Sequence, residues 1–396
     1  MRRTAIALMI KQSYKFRIYP NKDQEIQLRK TIGCCRYIYN WGLELRSESY
    51  KRNKTRIGFS ETSRAMTILK KDSETKWLND VSAVALQQSL RNLNWSFENF
   101  FQKRSDHPKF KKRKTGGSVR FVGEGFSVRG DEFKANRVKK PIKVIWSREL
   151  PSKPSSCTIS QNPSGQWFVS FVCESEAKAY PKTNNRIGID LGIETFATLS
   201  DGSKIKHPKS IRNLRKTLVK AQKRQDKKIF GSKNRTKAQL KFAKIHQKIV
   251  NIRTDFLQKL STSIVRENQV IAIEDLTIKE MKKRGGKAIS RLINEQGWYS
   301  FAQMLEYKSD WYGRELVFID KYFPSSKTCS CCGTQTELTL KDRVWSCACG
   351  ATHDRDVNAA KNILAVGTTV AACGANVRLS RKQSALKQEF LLEMAG

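Results

Sequence analysis

Residues 329–364 read CSCCGTQTELTLKDRVWSCACGATHDRDVNAAKNIL, a stretch in which thiol side chains are followed directly by acidic ones. Its first part contains two close cysteine pairs, Cys329 with Cys332 and Cys347 with Cys349, separated by 14 residues. Four soft thiolates on two short turns match the tetrahedral coordination of a structural Zn²⁺ ion, which needs no open ligand position. The stretch therefore predicts a zinc ribbon held by these four cysteines.

The second cysteine pair leaves one detail of this predicted site open. Its spacing is C-x-C, whereas the second pair of a two-knuckle ribbon more often has the spacing C-x2-C. Cys331 is then a spare thiol, and His353, four residues after Cys349, is an alternative fourth ligand.

The acidic part of the stretch opens a predicted helix. Asp356 lies in its first turn, and Ala359, Ala360, Ile363 and Leu364 form a packing face. A carboxylate at a helix start is most often a cap or a partner of the helix dipole. A metal-binding role for Asp356 therefore requires further buried carboxylates that could meet it.

Two apolar strand patterns upstream supply such carboxylates. RIGIDLGI carries Asp190 in the middle of an apolar run, and VIAIEDL carries Glu274 at the end of one. A buried, unpaired carboxylate costs on the order of several kcal/mol, so Asp190 needs a cation, either a structural arginine or a metal. In an α/β fold the three acids can converge at one sheet edge, as two-metal phosphodiester chemistry requires.

The charge of the chain indicates a polyanionic partner. Its 396 residues include 76 Lys and Arg against 36 Asp and Glu, a formal net charge of +40. Between Lys204 and Arg253, two predicted helices carry 18 Lys and Arg and a single acid, Asp226. We expect these helices to contact a nucleic-acid backbone rather than to form a merely solvated surface.

The sequence shows no targeting signal. No signal peptide is visible, and no apolar run approaches the ~18 residues of a membrane span. The ten cysteines fit no secreted framework, and four of them have metal spacing. We therefore expect a cytoplasmic protein, associated with the nucleoid of a bacterial or archaeal cell, with no membrane partner.

Secondary-structure patterns divide the chain into a first half of strands around inserted helices and a second half of α/β type. A strand is predicted at 14–19, helices at 23–51, 61–70 and 81–104, and strands at 119–122, 126–134, 138–146, 155–161 and 166–174. The first half therefore resembles a β-barrel with a helical insertion.

The order of these motifs resembles that of TnpB, the family of transposon-encoded RNA-guided nucleases ancestral to compact type V CRISPR effectors. IGIDLG, IAIEDL and HDRDVNAAKNI resemble the three RuvC motifs of the family, with the cysteine ribbon before the third. YKFRIYP, GCCRYIYNWGLELR, HPKFKKR and SFAQMLEYKSDWYG are also similar to the family, so that the likeness covers about residues 12–366.

This resemblance implies a fold of mixed α+β and α/β type in several domains. The implied domains are a wedge β-barrel (1–20 and 106–182), a helical recognition domain (21–105), an RNase H-like RuvC nuclease domain (183–326 and 351–366), a zinc ribbon (327–350) and a disordered tail (367–396).

The resemblance also implies the site residues and the partners. Asp190, Glu274 and Asp356 are the implied catalytic ligands of two Mg²⁺ ions, whereas Asp354 has no assigned role. Gln87 matches a position that contacts the DNA motif beside the target, but a neighbouring lysine position of the family is Ala83 here. The implied partners are a guide RNA encoded by the transposon end and a double-stranded DNA target, with the oligomeric state left open.

Three classes of function fit a protein of this kind: an RNA-guided DNA endonuclease, an RNA-guided DNA-binding repressor without cleavage, and a transposase that joins DNA ends. Repressors of this origin usually lack one of the acids, and none is lost here. Nothing in the sequence supports a strand-transfer site. The sequence therefore predicts the endonuclease, with the repressor as the alternative.

Overall fold

The computed structural model describes residues 9–113, 117–177, 179–339, 342–373 and 378–379. The chain divides into two compact units, Met1–Glu176 and Ala177–Gly396. Within the described residues, no helix combines the length and the apolar character that crossing a membrane requires.

The first unit begins with a strand and continues with helices. Strand β1 (Met9–Tyr19) ends at Pro20, and Asn21 then caps helix α1 (Lys22–Asn53) by accepting a hydrogen bond from the Gln24 backbone N–H. The Gln24 side chain in turn accepts from the Asn21 N–H, which completes a capping box. Helices α2 (Phe59–Leu69) and α3 (Ala83–Phe101) follow, and α3 packs its apolar face, including Leu86, Leu90 and Leu93, against α1.

The remaining strands of the first unit are β2 (Gly117–Val122), β3 (Phe126–Arg129), β4 (Glu132–Ala135), β5 (Lys143–Ile145), β6 (Ser156–Gln161) and β7 (Trp167–Glu176). Five of them form an antiparallel sheet in the order β2-β6-β7-β1-β5, in which β1 and β7 pair along nearly their full lengths. One face of this sheet buries Phe16, Phe121 and Phe171.

The first unit was predicted to contain a β-barrel, but the described residues form no closed barrel, because this sheet is open between its edge strands. The pattern at 126–134 had indicated one continuous strand. The chain instead turns back at Gly130, whose φ of +55° favours glycine, so that β3 and β4 form a separate hairpin. This hairpin meets β5 through a single bridge, from Phe133 to Ile142, and does not link the two edges.

The second unit is built on a six-stranded sheet. Its strands are β8 (Arg186–Asp190), β9 (Ala197–Leu199), β10 (Lys204–Ile205), β11 (Val270–Glu274), β12 (Glu315–Ile319) and β15 (Arg378–Leu379), in the order β10-β9-β8-β11-β12-β15. Strands β8, β11 and β12 are parallel to one another, and the others are antiparallel to their neighbours. Because β8 and β11 are buried on both faces, they read as continuous apolar runs.

The helices of this unit are α4 (Lys209–Asp226), α5 (Lys233–Glu267), α6 (Ile278–Arg284), α7 (Gly286–Gln296), α8 (Trp298–Tyr312) and α9 (Arg355–Cys373). Helices α4 and α5 form the predicted basic hairpin around Gly231, whereas α6 and α7 were not predicted. A small hairpin of β13 (Val344–Ser346) and β14 (Thr352–Asp354) belongs to the cysteine-rich segment.

Helix α9 lies directly on the central strands because two glycines allow the close approach. A Cβ atom on Gly188 of β8 would stand 2.1 Å from the Ala360 carbonyl oxygen, and one on Gly367 of α9 would stand 2.5 Å from the Ala272 Cβ of β11. The helix continues past Gly367 to Cys373, inside the range predicted as a disordered tail. The remainder of that range, apart from β15, lies outside the described residues.

Candidate active site and metal centre

Three carboxylates meet at the carboxyl edge of the six-stranded sheet. Asp190 is the last residue of β8 and Glu274 the last of β11, and the parallel register that pairs Ile189 with Ile273 brings their ends side by side. Asp356 lies in the first turn of α9, one helical turn before the Ala360 that contacts β8. The fold thus brings together acids that are separated by more than 80 residues in each step along the chain.

The electrostatics of these acids agree with their proximity. Burial, followed by the nearby charges of Asp356 and Glu274, raises the pKa of Asp190 to about 7, while Arg355 acts in the opposite direction. Burial raises the pKa of Glu274 to about 7 as well. Carboxylates that lie close together in a poorly solvated site are stable near neutral pH only if they bind protons or a cation.

The three acids lie near enough for their charges to interact, but they do not form a tight cluster of ligand atoms. In the described part of the chain, the groups of metal-binding side chains whose ligand atoms all lie within 4.8 Å of one another contain only cysteines and a histidine. Asp356 has the Arg343 guanidinium 3.9 Å from its carboxylate, an ion pair too long for a strong hydrogen bond.

Asp354, which the sequence left without a role, acts as a structural residue in this fold. Its Oδ1 accepts a hydrogen bond of 3.1 Å from the Val357 backbone N–H, as a helix N-cap does. Its Oδ2 lies 2.6 Å from the Lys204 Nζ at the edge of the sheet. These contacts anchor the start of α9, which carries Asp356.

The four predicted zinc ligands come together in the cysteine-rich segment. The Sγ atoms of Cys329, Cys332, Cys347 and Cys349 all lie within 4.8 Å of one another, with Cys329 to Cys349 at 3.8 Å and Cys332 to Cys347 at 3.6 Å. A tetrahedron with Zn–S bonds of about 2.3 Å has edges of about 3.8 Å, so the donor set fits this ion. Each pair closes on a glycine with positive φ, Gly333 at +78° and Gly350 at +88°.

His353, the alternative fourth ligand, contacts the same cluster from one side. Its Nε2 lies 3.1 Å from the Cys329 Sγ, and the pair forms, with Cys331, a second group of donors within 4.8 Å of one another. Since the four cysteines already supply four tetrahedral ligands, the imidazole is better suited to donate a hydrogen bond to the ligand sulfur of Cys329. The ring is buried against Trp345, with 4.8 Å between the ring centroids.

Two asparagines that the sequence analysis did not single out join the first cysteine knuckle to α9. Asn358 Oδ1 accepts from the Ser330 N–H at 2.9 Å, and its Nδ2 donates to the Thr328 carbonyl at 2.7 Å. Asn362, one turn later, donates to the carbonyls of Thr328 and Ser325 at 2.6 and 2.8 Å. The sequence does contain a signal for these two residues. Asparagine has a low helix propensity, and here two asparagines stand four positions apart on an otherwise apolar helix face.

The other sequence-predicted residues lie at surfaces. Gln87 is exposed on α3, as is Ala83 one turn before it. The basic side chains of α4 and α5 are mostly exposed, and among the described residues only a few have carboxylate partners, such as Arg215 with Glu295 at 2.7 Å. Most of this positive charge therefore remains uncompensated within the chain.

Comparisons with known families match three parts of the chain. Residues 170–285 match the OrfB_IS605 family, described as a "Probable transposase", and residues 298–363 match the Cas12f1-like TNB domain. Residues 9–55 match a helix-turn-helix domain, a range that consists of β1 and α1 in this structure.

A relative in Streptomyces pristinaespiralis has the name "Putative RNA-guided DNA endonuclease" and is 44% identical over 98% of both chains. This chain belongs to the TnpB family of RNA-guided DNA endonucleases. InsQ of Escherichia coli (strain K12), with the same description, is 32% identical over 96% of this chain and 97% of its own. The "TnpB-like protein L79" of Acanthamoeba polyphaga mimivirus is 24% identical over 90% of this chain and 73% of its own. The resemblance read from the motifs is thereby confirmed.

A solved structure extends the TnpB likeness to the fold. The protein chain of a Cas12f1 complex with guide RNA and target DNA superimposes with a TM-score of 0.57, at 14% identity, over 90% of this chain and 98% of that one. At this identity the likeness concerns the fold alone, which is multidomain and of mixed α/β type.

Proposed function

We propose that this TnpB-family protein is an RNA-guided DNA endonuclease that cleaves guide-matched DNA beside a short adjacent motif. The observation that carries the proposal is the meeting of Asp190, Glu274 and Asp356, where burial, followed by the nearby charges of the other two acids, raises the pKa of Asp190. A purely structural site would pair a buried carboxylate with a cationic side chain. Three acids gathered at one edge instead provide the oxygen donors that a hard divalent cation takes.

The finer assignment of the second unit follows from its sheet. The strand order is β10-β9-β8-β11-β12; neighbours among the first three strands are antiparallel, and the next two strands are parallel to β8. This order supports an RNase H-like RuvC domain over 183–326 and 351–366. The zinc ribbon would occupy 327–350 between its parts. In the first unit we assign 1–20 and 106–182 to a wedge domain and 21–105 to a recognition domain.

The donor chemistry of the three acids suits two Mg²⁺ ions. Bound there, such ions would supply an activated water and stabilise the leaving 3′ oxygen of the cleaved strand. Asp190, on the central strand, would contribute to both ion positions, and Glu274 and Asp356 to one each. The carboxylates must release their protons to bind, so ion binding should weaken as the pH falls below about 7.

The positive charge of the chain supports nucleic-acid partners. We propose a guide RNA encoded by the transposon end and a double-stranded DNA target, with base pairing supplying the sequence specificity. The exposed Gln87 would contact the adjacent motif from α3, while the α4–α5 pair would contact phosphates. The alternative, a guided repressor, would use the same surfaces without requiring the three acids.

Cleavage by the purified protein with its own RNA tests the proposal. We expect it to cut a matched duplex in Mg²⁺, and Asp190→Ala to lower cleavage by several orders of magnitude while leaving guided DNA binding intact. Ca²⁺, which accepts looser geometry, should support binding but little cutting.

Binding without cleavage by the unaltered protein in Mg²⁺ would favour the repressor. Cleavage that persists unchanged in Asp190→Ala would refute the assignment of the active site. Failure to bind the matched duplex at all would refute both functions.

A further inference from the structure

The end of the helical insertion in the first unit holds a cleft of about 650 Å³ that has no role in the proposed mechanism. It is bordered by the end of α1, the segment after it, the end of α3 and the segment that follows α3. We call it the aromatic cleft after its lining residues Tyr50, Phe97, Phe100, Phe101 and Phe110.

Several of these rings are unusually exposed. Phe101 is 54% exposed, Phe110 56% and Tyr50 49%, whereas Phe97 is buried beneath them. Phe101 stacks on Phe97 with 6.1 Å between centroids and an interplanar angle of 24°. Single exposed apolar side chains are common on protein surfaces, but a group of them around one concavity marks a binding surface.

The surroundings of the aromatic cleft are strongly cationic. The Arg46 guanidinium lies 4.1 Å from the Phe97 ring centroid, and that of Arg56 lies 5.3 Å from the Phe101 centroid. The bordering segments 50–57 and 102–113 contain ten Lys and Arg and a single acid, Asp106. Glu44 and Glu48 also line the cleft, and Glu48 pairs with Arg52.

This combination selects among the possible occupants. A second copy of this chain would bring two cationic rims together, at a net charge of +40 on each. A nucleic-acid duplex would present phosphates to the rim but no free base faces to the rings. Unpaired nucleotides satisfy both features, because bases stack on aromatic rings while phosphates meet Lys and Arg.

We propose that the aromatic cleft binds unpaired nucleotides of the guide RNA, an inference that rests on the proposed function. RNA is favoured over the displaced DNA strand because the guide is bound before any target duplex is opened. It can therefore shield the exposed rings from water throughout, whereas the displaced strand appears only later. The cleft would thus recognise a single-stranded segment of the guide by stacking, separately from the phosphate contacts of the α4–α5 pair.

RNA affinity of ring-deleted variants tests this inference. The double variant Phe101→Ala/Phe110→Ala should bind the RNA recovered from the purified protein about 5- to 150-fold more weakly, the range for loss of one stacked base. Because no charge is removed, the salt dependence of binding should keep its slope. Phe101→Tyr, which keeps a ring, should retain nearly full affinity.

Trp95→Ala is the matched control, since Trp95 is 66% exposed on the same helix but does not line the cleft. Ultraviolet cross-linking of the unaltered complex should attach RNA to peptides that contain Phe101 or Phe110. Unchanged affinity of the double variant would overturn the inference while leaving the proposed function intact, whereas absence of any bound RNA would overturn the proposed function itself. Cross-links to single-stranded DNA alone, or dissociation of a dimer by the double variant, would assign the cleft to another occupant and also overturn the inference.

Discussion

Asp190 is held in an environment that opposes its charge. The pKa of about 7 in the folded protein lies well above the ordinary carboxyl value of 3.8 that applies to the unfolded chain. Between these two values the folded state keeps a proton that the unfolded state has released, so the contribution of Asp190 to stability falls as the pH rises. Glu274 acts in the same direction. Such a destabilised arrangement is expected where function outweighs stability.

Replacement of Asp190 by asparagine should therefore stabilise the metal-free protein in a pH-dependent way. We expect the melting temperature of Asp190→Asn to exceed that of the unaltered protein at pH 8 by at least about 3 °C, which corresponds to roughly 1 kcal/mol. At pH 4 the difference should be much smaller, because the carboxyl group is then protonated in the folded state and only about half ionised in the unfolded chain. Thermal melts in the presence of a chelator at the two pH values provide the measurement.

Addition of Mg²⁺ supplies the control for this effect. It should raise the melting temperature of the unaltered protein at pH 8 but have little effect on Asp190→Asn, which lacks the proposed central ligand. Asp354→Asn, a nearby change outside the three acids, should instead destabilise the protein at pH 8, because it weakens the ion pair with Lys204. A difference between the proteins that is equal at both pH values would contradict the electrostatic explanation.

At the scale of elements, the cysteine-rich segment that contains the proposed zinc site forms a connected structure with α9. Strand β14 contains His353 beside the thiolate cluster and leads directly into α9, whose first turn carries Asp356. A change in the cysteine-rich segment should therefore reach the proposed active site through very few residues.

Cys332→Ser should lose the metal and loosen α9, because the thiolate set fits zinc and a hydroxyl is a poor replacement. We expect the variant to contain markedly less zinc, measured by elemental analysis, and to show lower stability and slower cleavage. Cys331→Ser is the matched control, since Cys331 lies outside the four-cysteine group and should leave the zinc content unchanged. Undiminished zinc in Cys332→Ser would rule out the four-cysteine assignment. Retention of zinc by Cys349→Ser, together with its loss in His353→Ala, would identify His353 as the fourth ligand.

The asparagine contacts offer a test of the connection that leaves the zinc ligands intact. Asn358→Ala removes two hydrogen bonds from a buried site and leaves the Ser330 N–H without this acceptor, while the Thr328 carbonyl keeps only its hydrogen bond from Asn362. We expect a loss of about 1–3 kcal/mol in stability, measured by chemical denaturation.

The zinc content of Asn358→Ala should remain normal while its rate of cleavage falls, because the start of α9 is held less firmly. Lys361→Ala, an exposed change on the same helix, should alter neither quantity. Full activity and stability in Asn358→Ala would show that the other contacts of α9 suffice.

At the scale of the whole molecule, the excess of 40 positive charges favours binding to a polyanionic partner. The α4–α5 pair carries a concentrated part of this charge on two packed helices, where like charges repel one another in the free protein. Phosphates of a nucleic acid would remove this repulsion and release their counterions.

Replacement of Lys216, Lys220, Lys237 and Lys241 by glutamine should therefore weaken RNA binding and reduce its salt dependence. All four side chains are exposed. The slope of log K against log salt should fall by about 0.7–0.9 for each phosphate that the variant no longer neutralises. Lys259→Gln, further along α5, is the control, since Lys259 already pairs with Asp255 at 2.8 Å. An unchanged slope in the fourfold variant would show that this surface is only solvated.

Much of the second unit could be predicted from the sequence, because its decisive features are local. The apolar runs ending near Asp190 and Glu274, the cysteine spacings and the basic helices around Gly231 are short-range patterns, and each predicted element is present. In the first unit, the strand before Pro20 and the helices that follow were likewise predictable from periodicity and capping residues. Turn chemistry was harder to read, so the hairpin at Gly130 was taken for a single strand.

What the sequence determined by itself was the type of chemistry: four thiols spaced for zinc, three acids in strand-end and helix-start patterns, and a large positive charge. Only the tertiary structure decided which of these residues meet, since the parallel register of β8 with β11 and the packing of α9 on Gly188 depend on long-range contacts. The open sheet, the asparagine contacts and the aromatic cleft belong to the same category. Their residues come from segments distant in sequence, and no periodicity within a segment specifies its partner in another.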